Sequence, residues 1–436
     1  MTTSTEWATT ARLLRRTGFG ATGSEIDAAV RIGAGPWLDA ALTADPGADP
    51  GTRATPPPTP AAVPEGGKDR TQQQRQARNE VVRHNRAAVT QWWLRRMAAT
   101  GQPLVEKLTF GWHDHFATNI HKVDARLMLA QNDTLRRLGR GSFTGLARAM
   151  VVDPALLVWL DGQKNTAKAP NENFSREFME LFTVGHGSGY TEQDVREAAR
   201  ALTGWTIAAD GSAHLKDSRH DGGSKTVLGR TGDLDAEGFV DAVLAQPASA
   251  RFVATRWWQQ LVSPVAPTAA QLASVTAAYG PGRDLRAMFH AMLSDPAMAA
   301  SAGSVVVAPV EWAVGAVRAL KVPLSDDKQA AALVSSLNAL GQVPFAPPNV
   351  SGWPGGQAWL STAAAQTRLR AATRLAGLGD LDEISSTARG SRIDAVAHLL
   401  GIPFLSDRSV VALRTVSSDP AKLVAAALVS PEYLVN

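Results

Sequence analysis

Along this 436-residue chain, apolar side chains fall mostly at helical spacings, and Val, Ile and Tyr rarely form the alternating runs of a half-buried strand. Thr5 to Arg16 reads as a short amphipathic helix with Trp7, Leu13 and Leu14 on related positions, closed by the Gly18-Phe19-Gly20 turn. Ser24-Glu25-Ile26-Asp27 has capping-box spacing and starts a second helix. Gly33 to Pro36 separates that helix from a third carrying Trp37 and Leu38. A long polar helix begins near Thr71 and turns amphipathic around Val89, Trp92, Trp93 and Met97. In the stretch from Pro170 to Trp205, Asn173 is placed to cap a helix running to Val184 and stopping at Gly185, with Phe174, Phe178, Leu181 and Phe182 as its apolar stripe. Thr191-Glu192-Gln193-Asp194 then opens the next helix with a capping box. The pattern predicts an all-α fold, a large orthogonal array of many helices.

Three stretches break it. Residues 44–70 are rich in Pro, Gly, Ala and Asp, and Pro56-Pro57-Pro58 forbids helix there. They divide the chain into N-terminal helices (1–43), a linker or surface loop (44–70) and a main helical domain (71–436) that forms one compact unit with the first part. Residues 207–237 form a long glycine-rich loop with a short hairpin expected around Thr226 to Leu228. The prolines of 341–359 exclude helix from the middle of a second long loop. Three other segments, beginning at Ser142, Asp284 and Asp419, share one layout: a capped helix, then Asp153-Pro154, Asp295-Pro296 or Ser430-Pro431, then another helix. A weak internal repeat and a common way of turning between helices account for this equally well.

Composition narrows the function less than the pattern narrows the fold. Without cysteine there are no disulfides, thiolate metal sites or cysteine nucleophiles. A net charge of +4 is too small and scattered for nucleic acid, and Arg15-Arg16 and Arg136-Arg137 read as solvated helix faces. No apolar run is long enough for a membrane span or a signal peptide, so a soluble, cytoplasmic protein is expected.

The polar candidates fall into four groups. On an α-helical projection Asn173, Glu177 and Glu180 share an arc of roughly 60° beside the apolar stripe, with Arg176 just beyond. Two carboxylates so placed suit acid–base work, a metal, or a structural salt bridge to Arg176, Arg196 or Arg200. His113 and His115, with His121 beyond, form the second group. His-x-His suits a divalent metal on extended backbone, whereas on a helix the rings diverge by about 200° and burial in an aromatic cluster is the alternative. The third is His220-Asp221 with Lys225-Thr226, able to complete a pocket from the glycine-rich loop. Asn349 and Trp353 lie in the fourth, where a tryptophan on a rigid loop suits either stacking on a sugar or plugging the helical core. No Gly-x-Ser-x-Gly elbow, His-Glu-x-x-His helix or EF-hand loop is present.

LLRRTGFGAT, KLTFGWHDHFATN, PNENFSREFMELFTVG with GYTEQDVREAARALTGW, HDGGSKTVLG and LGQVPFAPPNVSGWPGG together resemble the bacterial domain-of-unknown-function family 1800 over almost the whole chain. The resemblance implies an all-helical fold and no particular activity. It also implies a frequent gene neighbour that looks like an exported sulfatase or alkaline phosphatase, and hence export bound to a signal-bearing partner as an alternative to the cytoplasm. Three readings follow. The first is an enzyme built on Glu177, Glu180, His113 and His220, with Asn173, Arg176, Arg200, Lys225, Asn349 and Trp353 holding a carbohydrate or exopolymer. The others are a non-catalytic helical partner of the phosphatase-like protein and a saccharide-binding protein.

Overall fold

The computed structural model describes residues 5–64 and 71–436; the end of the expected linker, 65–70, lies outside the described residues. The chain is mostly α-helical, with 24 α-helical segments and two small antiparallel hairpins among the described residues. Capping chemistry sets several helix starts. Thr71 with Gln74, Thr191 with Asp194 and Thr268 with Gln271 each form a reciprocal box. The second helix is opened by Thr22 and Glu25 rather than Ser24, because the Thr22 hydroxyl accepts from the Glu25 N–H while Glu25 reaches back to the Thr22 N–H.

Two apolar cores fill the molecule. One gathers Trp112, Phe116, Phe143, Phe174, Phe178, Phe182 and Trp257, and the other Trp93, Phe110, Val310, Trp312, Phe345 and Leu423. The helix Pro103–His115 runs between them, giving Leu104, Leu108 and Trp112 to the first and Phe110 to the second. A helix buried on nearly all sides must satisfy its polar groups internally. Glu106 does so at its centre, accepting from Arg96 Nε at 2.6 Å, Arg136 Nε at 2.6 Å, Arg136 Nη2 at 2.9 Å and Trp93 Nε1 at 3.0 Å.

Arg136 is therefore a buried ion-pair partner, not part of a solvated face. Arg15 and Arg16 depart from expectation in the same way. Arg15 donates to the carbonyls of Glu432 and Tyr433, and Arg16 to those of Val262, Ser301 and Asn436. They tie the first helix to the end of the chain, and a guanidinium has enough donors to occupy several carbonyls at once.

The repeated layout is real at the level of geometry. The helices Phe143–Val151, Leu285–Leu293 and Pro420–Leu428 each have 9 residues and each turns at its Asp-Pro or Ser-Pro corner. In the first two, the corner aspartate accepts from a glutamine of the preceding helix: Gln131 Nε2 to Asp153 at 2.7 Å, and Gln271 Nε2 to Asp295 at 3.1 Å. Their caps also meet, Ser142 and Asp284 forming an antiparallel bridge.

The glycine-rich loop holds the expected hairpin, Lys225–Val227 with Arg230–Gly232, and a second, Trp205–Ile207 with Ala213–Leu215, which the sequence did not announce. No helix among the described residues is long and apolar enough to cross a membrane.

Candidate functional site

The helix expected from Asn173 to Val184 is two elements. Asn171, not Asn173, caps Glu172–Glu177, its side chain accepting from the Asn173 N–H at 3.0 Å. Asn173 Nδ2 instead donates to the Leu160 carbonyl at 3.1 Å. From Phe178 to Thr183 the backbone widens into a π-helical turn, in which the N–H groups of both Val184 and Gly185 reach back to the Met179 carbonyl. Such turns recur at functional sites. The widening lets Phe174, Phe178, Met179 and Phe182 all enter the core, leaving Glu177 and Glu180 half-buried at its edge.

The three nearby arginines are committed elsewhere. Arg176 binds Glu172 at 3.1 Å and Glu192 at 2.7 Å, Arg196 binds Gln193, and Arg200 binds Glu197 and Asp221. Glu180 takes a hydrogen bond from His186 Nδ1 at 2.7 Å and one from the Tyr190 hydroxyl at 3.3 Å. Glu177 has no ion pair or side-chain hydrogen bond among the described residues. Desolvation, and then the charge of Glu180, pushes its carboxyl above the ordinary range, with Arg176 opposing. His186 and Tyr190, both in the loop Gly185–Tyr190, are the partners that sequence reasoning missed. Their spacing from Glu180 follows no helical period, so only the turn of the loop brings them back.

The histidine pair is dissimilar. His113 lies in the second core against Trp93, Phe345 and Trp353, with Nε2 unpartnered, and burial lowers its pKa to about 3. His115 faces the first core. Its Nε2–H donates to the Phe182 carbonyl at 2.8 Å, which fixes the tautomer and leaves Nδ1 bare. Burial likewise lowers its pKa well below the ordinary value. His115 thus satisfies a carbonyl at the end of the π-helical turn. The two rings point into different clusters, as a helix requires, and no group of three or more His, Asp or Glu residues able to hold a metal occurs among the described residues. The residues present do not fit the divalent metal that the His-x-His spacing raised.

Between the two histidines lies Asp114. Its carboxylate accepts from the Trp353 N–H at 2.7 Å and from Gln260 Nε2 at 3.3 Å, with Arg256 Nη2 at 4.0 Å. Desolvation outweighs Arg256 and raises its pKa to about 6. Asp114 holds the second long loop down. Gly352 sits at φ +89 against it, where any Cβ would collide with Asp114 Oδ1. Trp353 is buried, stacked on Phe110 at 5.2 Å, so the loop plugs the core and offers no free tryptophan face. Asn349 accepts from the Ser351 N–H at 2.9 Å and shapes that turn.

In the glycine-rich loop, His220 Nδ1 donates to the Thr203 carbonyl at 2.9 Å, and Arg200 grips Asp221 through two bonds of 2.7 and 3.1 Å. Lys225 has a fully buried side chain and pairs with Asp233 at 2.8 Å. Arg200 thus fastens the loop to the helix Glu192–Ala201, His220 ties it to the turn that follows that helix, and the Lys225–Asp233 pair closes the loop on itself. The structure therefore brings Glu180, His186 and Tyr190 together beside Glu177, while His113 packs with Trp353 in the second core, His115 meets the π-helical turn through the Phe182 carbonyl, and His220 lies against Thr203.

Residues 12–435 match the model of a family described as protein of unknown function (DUF1800). The chain belongs to this family. Comparisons with curated proteins and with solved structures returned no match. The family assignment brings no activity with it, so function rests on the geometry.

Proposed function

We propose that this DUF1800 protein is an acid–base enzyme whose working groups are Glu177 and Glu180. The observation that carries the reading is the pairing pattern: each arginine in reach is taken by another carboxylate or amide, and Glu177 is left half-buried, unpaired and shifted upward beside Glu180. In this reading Glu177 carries the proton that a leaving oxygen receives. Glu180, aligned by His186 and Tyr190, takes a proton from the attacking water. Two carboxylates in these roles suit hydrolysis of a glycosidic bond, and the substrate class proposed is a carbohydrate or other exopolymer. A panel of polysaccharides incubated with wild type, Glu177→Gln and Glu180→Gln tests it. Each variant is expected to lose at least about a hundredfold in rate with an unchanged circular dichroism spectrum. Equal rates in wild type and both variants would remove the glutamates from the chemistry.

A second reading, a non-catalytic partner of the phosphatase- or sulfatase-like neighbour, draws on one observation. Two hollows, of about 480 and 460 Å³, are lined by none of the candidate polar residues. Co-expression decides it: a partner co-elutes, whereas separate elution counts against the scaffold.

A further inference from the structure

A belt of cations, assembled from four stretches distant in sequence, runs up to the helix that bears Glu177. It begins on the helix Gln72–Ala99, whose first half is exposed nearly all round. Arg78 and Arg86 lie on one side of it, about 80° apart in projection. Arg86 is held below its ordinary range by desolvation and then by Arg78, and neither has a carboxylate partner among the described residues. Arg86 Nη2 donates to the His121 carbonyl at 2.9 Å. The next residue, Lys122, reaches Asp161 at 3.2 Å and the Trp159 carbonyl at 2.8 Å. Lys164 takes the other oxygen of Asp161 at 2.8 Å, and Arg219 closes the belt by donating to the Gln163 carbonyl at 3.0 Å. Five cations thus stand beside two carboxylates, Asp161 and Asp217. Glu80 and Asp124, alongside, are already paired with Arg83 and Arg126. A net charge of +4 over the whole chain hides this concentration. Two asparagines join the belt to the site. Asn171 Nδ2 donates to the Asp161 carbonyl at 3.4 Å, and Asn173 Nδ2 to the Leu160 carbonyl, one helical turn before Glu177.

We infer that the polymer cut by this enzyme is acidic, a polysaccharide carrying carboxylate or sulfate groups, and that the belt holds the sugars flanking the cleaved bond. The inference rests on the hydrolytic reading of Glu177 and Glu180. Cations spread along a track attract a polyanion at several points at once. At the bond itself the two glutamates repel an acidic group, so the charged sugars lie to the side, over the belt.

Polygalacturonate and its fully methyl-esterified form share a backbone and differ in charge. Calorimetric titration of the full chain at low salt is expected to show the acid binding tighter by tenfold or more, with affinity falling as salt rises. The triple variant Arg86→Gln, Lys122→Gln, Lys164→Gln should bind it about tenfold weaker, the sum of three exposed charge contacts. Lys164→Glu, one change at an exposed side chain, should act in the same direction should the triple variant fail to fold. On any acidic polymer that the protein cuts, the triple variant should raise KM about tenfold and leave kcat unchanged. Equal binding of acid and ester, or unchanged affinity in a folded variant, overturns the acidic class. Cleavage of neutral polymers alone does so too, while leaving the hydrolytic reading standing. Duplex DNA binding as tightly as polygalacturonate overturns polysaccharide as the polymer. Acid-selective binding that is lost in the triple variant, with no polysaccharide cut by wild type, would instead remove the hydrolytic reading and keep the belt as a binding surface.

Discussion

The end of the histidine helix and the π-helical turn that touches it make an instructive pair. Both are dense in polar residues, and His115 joins them by donating to the Phe182 carbonyl. At the first, His113, Asp114 and His115 sit between two aromatic cores, and the groups that find partners there hold the fold together. At the second, the aromatic residues all turn inward and the glutamates remain at the edge, one of them unpaired. What separates the two is the setting of the polar residues. Aromatic residues flank both sets in sequence, but the histidines lie on a helix buried between two cores, whereas the glutamates lie on an element that ends at the glycine-rich turn Gly185–Gly189.

The largest effect expected from breaking this contrast lies in the buried helix. Glu106→Gln leaves Arg96 and Arg136 without their carboxylate in a low-dielectric interior, at a cost of about 3–5 kcal/mol. Urea denaturation midpoints and soluble yield would register it. His115→Phe keeps an aromatic ring, a somewhat larger one, but orphans the Phe182 carbonyl, and a loss of about 1–3 kcal/mol is expected in the same assay. The π-helical turn should be the first region to gain amide exchange in that variant, since its last carbonyls lose their donor.

Asp114 sharpens the comparison through pH. Its folded pKa, about 6, lies above its ordinary 3.8, so protonation favours the folded state. The contribution is complete below the ordinary value and is lost as pH rises through about 6, with a limiting slope of about 1.4 kcal/mol per pH unit. His113 acts in the opposite sense. Held near 3 from an ordinary 6.5, it contributes stability above 6.5 that is lost as pH falls towards 3. The two oppose one another between about pH 4 and 6. Subtracting the Asp114→Asn stability curve from the wild-type curve should therefore expose the Asp114 term alone, as a decline with rising pH that ends just above 6. Asparagine keeps the acceptor for the Trp353 N–H, so the variant should fold.

Much of the fold was legible because capping boxes, Asp-Pro corners and apolar stripes are local signals. Thr71, Thr191 and Asp153 act where their spacing placed them. Arg137 is exposed as expected, but Arg15, Arg16 and Arg136 are buried, because a charged dipeptide carries no mark of burial; the carbonyls of residues 262, 301, 432, 433 and 436, distant in sequence, enclose Arg15 and Arg16. The candidate site was half legible. Glu177 and Glu180 stood out, but the π-helical turn, which changes their directions, comes from packing four aromatic and apolar side chains inward and leaves no periodic trace. His186 and Tyr190 return to Glu180 through glycine conformations at positive φ, Gly185, Gly187 and Gly189, that the sequence permits without specifying.

The central claim is that Glu177 is an unpaired carboxyl held upward by its surroundings and by Glu180. Carbon-13 NMR titration of selectively labelled glutamate measures it directly. The account predicts a Glu177 pKa above the ordinary 4.5 that moves back towards that value in Glu180→Gln. A Glu177 that titrates below 4.5, unmoved by Glu180→Gln, would mean that a cation holds it, and the pair would then be structure.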